Sequence, residues 1–268
     1  KMTSVAVVNQ KGGVGKTTVT LGLAEAAAAF GLSVLVVDLD PQANASTGLA
    51  VWGAHPTIDD VLSEARAGAA LEAVTSSNWP DEGLRPDLIP GSHLLAAREP
   101  QMISDPLGAQ DRLKLALSGT RYDLTLIDCP PSLGLLCVNG LFAADTALIV
   151  TEPAAWAADG VDLMVNTIQR VASRIGSPLI AGVVVNRLGR TRDNNYWKSE
   201  LAERFSDSWL PPISLRAAIA EASGQSLPLR ELGTRPGASE AILQFDELLD
   251  AMGLAKKQGP QAVDLDEI

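Results

Sequence analysis

Apolar residues in this chain fall into short runs separated by polar or glycine-bearing stretches, and the runs alternate in kind. "SVAVVN" (4–9) and "SVLVVD" (33–38) are short and rich in β-branched residues, so both read as buried strands. Between them "KTTVTLGLAEAAAAF" (16–30) is long, alanine-rich and closed by Gly31, the pattern of a buried helix. "TIDDVLSEARAG" (57–68) places Ile58, Val61 and Leu62 at helical spacing behind an N-cap at Thr57. The stretch 72–106 is rich in Pro, Ser and Asp and predicts short strands and loops around "LIPG" (88–91). Beyond it the pattern predicts helices near 108–118, 133–143 and 159–175, alternating with strands at 122–128, 146–150 and 179–186. A last helix over 238–253 carries Ile242, Phe245, Leu249 and Met252 on one face.

This alternation of strand and helix predicts an α/β fold: one doubly wound, mostly parallel sheet flanked by helices on both faces. With 268 residues, 46% of them hydrophobic, the chain is long enough to bury a sizeable core. The expected division is a single domain over 1–254 and an acidic, flexible tail over 255–268. Lys1 reads as a residue appended ahead of a natural start at Met2. No apolar run is long enough to span a bilayer, and no leader-like segment precedes the first strand. Cys129 and Cys137 are too few for a disulfide framework, which suits a reduced, cytoplasmic protein. The net charge of −11, from 32 acidic and 21 basic residues, argues against a surface coated for nucleic acid. It leaves room for a local basic patch, since a small footprint needs only a few well-placed cations.

The chemistry-bearing residues gather at the strand ends, where ligands of such sheets bind. "NQKGGVGKTT" (9–18) follows the first strand and ends as a phosphate-binding loop does, except that Gln10 stands where glycine is usual and Lys11 is a second lysine. Gly12, Gly13, Val14 and Gly15 can turn backbone N–H groups onto phosphate oxygens, and Lys16, Thr17 and Thr18 open the helix whose positive end faces them. In that arrangement Lys16 neutralises β- and γ-phosphate charge and the Thr17 hydroxyl binds Mg²⁺. Asp128 ends the strand "LTLID" (124–128), where a nucleotide hydrolase needs a carboxylate for the metal. Asp38 and Asp40 share a face if the strand stays extended, so one of them can orient an attacking water. Asp40 lies further beyond the sheet and is the better placed; Asp38 reads equally well as a solvated or loop-capping carboxylate.

"KGGVGKTT", "VVDLDPQANASTGL", "TIDDVL", "LIPGSHLLAARE", "LIDCPPSLGLL" and "TEPAA" occur in the order seen in ParA-type partition ATPases. The chain resembles that family, part of the deviant Walker A group that includes MinD, over residues 3–232. The resemblance implies ATP/ADP and Mg²⁺ as cofactors and an ATP-dependent sandwich homodimer. Lys11 matches the family's signature lysine, which reaches the partner subunit's nucleotide, so Gln10 is no defect. Asp40 would position water, Asp128 would support the metal and couple it to "CPPSLG" (129–134), and Asn186 would bond the adenine edge. Hydrolysis would be weak alone and stimulated by a ParB-like centromere-binding or adaptor partner, in plasmid or chromosome partition on the nucleoid.

Family members of this size lack an N-terminal DNA-reading domain, so operator recognition is not expected. Non-specific binding of double-stranded DNA by the ATP dimer would draw on Arg187, Arg190, Arg192 and Lys198, with Arg216 and Arg230 further on. A ParA-like ATPase that positions a protein cargo on the nucleoid would carry the same motifs. A MinD-like membrane positioner would need a basic amphipathic C-terminal helix, and the acidic tail offers none. A metallocluster ATPase would need cluster cysteines, and a P-loop kinase or synthetase a binding site for its acceptor.

Overall fold

The computed structural model describes residues 2–105 and 108–255; Lys1 and the expected tail beyond Ala255 lie outside the described residues. In chain order the elements are β1 (Thr3–Val8), α1 (Lys16–Ala29), β2 (Val34–Asp38), α2 (Asn44–Gly48) and α3 (Ile58–Glu64). There follow β3 (Thr75–Ser76), β4 (Asp87–Ile89), α4 (Leu95–Ile103), α5 (Arg112–Ala116), β5 (Leu124–Asp128) and α6 (Leu135–Ala143). The chain continues through β6 (Thr146–Thr151), α7 (Ala157–Ile175), β7 (Leu179–Val185), α8 (Arg192–Arg204), α9 (Ala217–Gln225) and α10 (Ala238–Ala251). The sheet has seven strands in the order β3-β4-β2-β5-β1-β6-β7. Short β3 is antiparallel to β4, and every other neighbouring pair is parallel.

Strand residues alternate between two cores, as the period of two requires. Val5, Val7, Val34, Val36, Leu126 and Val150 face one layer with Leu23, Ala27, Phe245 and Leu249 of α1 and α10. Ala6, Val8, Leu35, Val37, Ile127 and Ile149 face the other, packed by Leu62, Leu113, Leu141, Met164 and Ile168 of α3 and α5–α7. The near-continuous apolar runs of the central strands follow from burial on both sides.

Four helices form where the sequence predicts none, and a fifth ends early. α4 fills part of the stretch expected to be strands and loops. It carries Pro100 inside, which forfeits a backbone donor, and fully buried Leu95 and Met102 hold it on the second core. α8 has Leu201 as its one buried residue and is polar around most of its circumference, so no hydrophobic stripe announces it. α9 and the five-residue α2 are too small-residued or too short for periodicity to register. α3 stops at Glu64 rather than 68, because Ala65 turns left-handed at φ 47°. Its start agrees with the Thr57 cap: the Asp60 carboxylate accepts from the Thr57 amide at 2.7 Å and hydroxyl at 2.9 Å.

The contact of α1 with α10 supports the loop from below. Gly22 in mid-α1 lies so near Phe245 that an added Cβ would sit 2.3 Å from Cε1 of the ring. Glycine to alanine in a helix normally gains about 1 kcal/mol. Here overpacking, about 1–3 kcal/mol, outweighs it. Gly22→Ala should therefore lower the thermal midpoint followed by circular dichroism; a raised midpoint would contradict this packing.

Candidate functional site

β1 lies between β5 and β6, so the loop after it emerges at the middle of the sheet's carboxyl edge. Gly13 and Gly15 adopt φ of 81° and 89°, a region costly for other residues, and Gly15 caps α1. Asn186, just past β7, is 2% exposed and donates Nδ2 to the Val14 carbonyl at 2.9 Å. It approaches so closely that a Cβ on Gly15 would lie 2.1 Å from Nδ2. The loop is thus shaped by its own glycines and by a strut from the end of β7, two strands away in the sheet.

Lys16 opens α1, is 7% exposed, and donates to the Lys11 carbonyl at 3.4 Å. Burial lowers its pKa, while Asp128 and Asp40 oppose that shift. The Thr17 hydroxyl donates to Asp128 Oδ2 at 2.6 Å and Thr20 to Oδ1 at 3.3 Å. Asp128 is fully buried, and burial together with the nearby Asp38 raises its pKa to about 7. Asp38 stands opposite Asp128 in the β2–β5 register, and burial raises its pKa to about 6.

The two candidate water-orienting carboxylates separate clearly. Asp38 lies beneath the site and caps α2, its Oδ2 accepting from the Ser46 amide at 2.7 Å and hydroxyl at 2.6 Å. Its Oδ1 is buried with no partner. Asp38 is therefore the loop-capping carboxylate, though buried rather than solvated. Asp40 lines the cleft, with Oδ1 accepting the Gln42 amide at 2.9 Å.

The cleft itself encloses about 450 Å³ between the loop, Asp40, Gln42, Asn44, Thr47 and Pro131. Two other cavities are as large: about 500 Å³ beside Trp156 and about 620 Å³ beside Arg190 and Arg216. Size does not choose among the three; convergent backbone donors and charge do. Asp40 and Asp128 both act on one buried ammonium, Lys16, and Asp38 lies beneath them with one carboxylate oxygen that has no hydrogen-bond partner. A divalent cation fits that imbalance. Among the described residues no group of three His, Cys, Asp or Glu could hold it alone. Thr17 and Asp128 would supply protein oxygens and the ligand's phosphates the rest, a coordination usual for Mg²⁺.

The remaining sequence candidates scatter. Gly12 packs beside Pro131, and Val14 is fully buried. Thr18 lines the cleft. The Lys11 side chain is 55% exposed, with Nζ 2.5 Å from Glu152 Oε1. Arg187, in left-handed backbone at φ 55°, lines the nucleotide-sized cleft, whereas Arg190 and Arg216 line a separate cavity and Arg192 opens α8. Arg230 is withdrawn from the expected basic patch: its Nη2 donates to both Asp246 oxygens at 2.7 and 2.9 Å, and it flanks buried Glu25. Sequence reasoning missed Ser46 and Glu152. Ser46 sits in a helix too short to show periodicity, and Glu152 gives no local signal, since its partner is 141 positions away.

Residues 2–180 match the protein family described as AAA domain. The chain is 32% identical over 257 residues to the sporulation initiation inhibitor protein Soj of Bacillus subtilis, covering 93% of this chain and 98% of Soj. It is 38% identical over 252 residues to the chromosome partitioning protein ParA of Caulobacter vibrioides, covering 90% of this chain and 91% of that one. Its structure is similar to that of the septum site-determining protein MinD from Pyrococcus horikoshii, complexed with Mg-ADP. That similarity has a TM-score of 0.74 at 25% identity over 96% of this chain and 100% of the other.

The close approach of Asn186 to Gly15 gives a direct test of the loop. Gly15→Ala should abolish binding of a fluorescent ATP analogue while the far-ultraviolet spectrum stays native. Binding at the wild-type level would show that the loop is not the nucleotide cradle.

Proposed function

The chain belongs to the AAA-domain family matched above, among the ParA/MinD-type P-loop ATPases, and from that premise we propose an ATP-dependent dimerising ATPase of DNA partition. As the ATP dimer it binds double-stranded DNA without sequence preference, and a ParB-like partner stimulates its hydrolysis to move a plasmid or chromosome.

The observation that carries this reading is the unequal placement of the two loop lysines. Lys16 is buried beside Asp128, on its own subunit's phosphate side, while Lys11 is exposed and does not line the cleft. A cation so placed serves a neighbour's phosphates better than its own. In the dimer the loop N–H groups and Lys16 hold the phosphates of one ATP, and Thr17 with Asp128 holds Mg²⁺, which offsets phosphate charge. Asp40 orients the attacking water. Lys11 of the other subunit adds positive charge where it develops at the γ-phosphate. Asn186, with Nδ2 committed to Val14, offers its carbonyl oxygen to the adenine edge.

For DNA, Arg187, Arg190, Arg192 and Arg216 supply the phosphate contacts. None of the four has an ion-pair partner among the described residues, whereas nearby Arg204, Arg230 and Arg235 are all paired with carboxylates. Dimerisation doubles such a patch and makes weak contacts avid, which reconciles DNA binding with a net charge of −11.

Lys11→Ala should bind ATP normally yet lose about 100-fold or more of its hydrolysis, as expected for removing a transition-state cation. Turnover at the wild-type rate would sink the in-trans role. Arg190→Ala combined with Arg216→Ala should weaken the ATP form's hold on plain duplex DNA. The salt dependence of that affinity should flatten by about 1 for each phosphate that is no longer neutralised. An unchanged affinity and slope would place the DNA elsewhere.

A further inference from the structure

Lys11 is not loose on the surface. Its ammonium is held by one carboxylate, Glu152, at 2.5 Å, and no other side chain bonds either group among the described residues. Glu152 is the first residue past β6, and β1 and β6 rise in parallel register up to Val8 opposite Ile149. Asn9 clamps their extensions together. Its Nδ2 donates to the Val150 carbonyl at 2.6 Å, and its Oδ1 accepts the Lys11 amide at 2.9 Å. The backbones of Lys11 and Glu152 are therefore fixed relative to one another, and side-chain rotation alone joins or parts the two charges.

A lysine that acts on a nucleotide in another subunit must first leave this carboxylate. Resting on the in-trans role proposed above, we infer that Glu152 is a positioning residue that parks Lys11 on its own subunit and so sets the threshold for ATP-dependent dimerisation. Parking keeps the Lys11 charge away from phosphates in the free subunit, where hydrolysis would be futile. Closing a symmetric dimer breaks two such pairs, one in each subunit. Exposed ion pairs of this kind shift an equilibrium by about 1.4- to 5-fold each, so breaking both shifts the dimer dissociation constant by about 2- to 30-fold.

Glu152→Gln removes the charge at constant size, and Glu152→Asp retains it on a shorter stem. Dimerisation is read by sedimentation velocity over a dilution series with a slowly hydrolysed ATP analogue. Monomer affinity for a fluorescent ATP analogue serves as the control for an intact site. E152Q should dimerise at lower protein concentration by about 2- to 30-fold in dissociation constant, with monomer nucleotide affinity unchanged. E152D should lie nearer the wild type, and K11A/E152Q should match K11A alone. A full E152Q effect persisting in the K11A background would show that Glu152 acts by another route and overturn the inference. So would E152Q dimerising at or above the wild-type concentration while K11A fails to dimerise, an outcome that leaves the in-trans reading standing. If K11A itself dimerises and hydrolyses as the wild type does, the in-trans reading falls and the parking role falls with it.

Discussion

Parallel pairing of β1 between β5 and β6 is the constraint on which the site depends. With the parallel strands on either side it brings five carboxyl ends to one edge, and each end delivers a charge or donor. β1 delivers the glycine loop with Lys11 and Lys16, and β5 delivers Asp128. β6 delivers Glu152, and β7 delivers the Asn186 strut beneath Gly15. β2 adds Asp38 on the far side of β5, in register with Asp128. A slip of one residue in any of these registers would turn the polar group at that strand's end toward a core.

The resulting site is short of positive charge from its own side chains. Burial makes that imbalance costly: desolvation and neighbouring carboxylates raise the pKa of Asp38 to about 6 and of Asp128 to about 7, so their charged forms need a nearby cation. Such a site favours whatever brings cations to it. Lys16 is the resident one and a divalent ion the natural second. Lys11, a further cation on the loop itself, is kept on its own carboxylate. The arrangement explains why the loop has one lysine more than a simple phosphate cradle uses: one is built into the site, and the other is exposed at the edge of the subunit.

Much of this was legible from the sequence because the signals are local. Strand-length β-branched runs, the alanine-rich helix after the loop and the strand-end positions of Asp40 and Asp128 all stand within a few residues of the features that explain them. The Thr57 cap was readable for the same reason, with Asp60 three positions on. What was not legible depends on residues far apart. The assignment of Asp38 to capping needed Ser46 of α2, and the fate of Arg230 needed Asp246 and Glu25. The Glu152–Lys11 pair and the Asn186 strut span 141 and 172 positions, and no periodicity encodes such meetings. α8 escaped because a polar helix has no stripe to read.

The central claim is that a working site is composite, with Asp40 from the subunit that binds the nucleotide and Lys11 from the other. Mixing two inactive variants tests it most directly. K11A and D40A proteins are assayed for ATP hydrolysis separately and then together in equimolar amounts. A composite site predicts that each is inactive alone and that the mixture recovers a fraction of the wild-type rate. In a mixed dimer the K11A subunit keeps its Asp40 and receives Lys11 from its D40A partner. A mixture as inactive as its components would contradict the account, because it would place both residues at the same subunit's nucleotide.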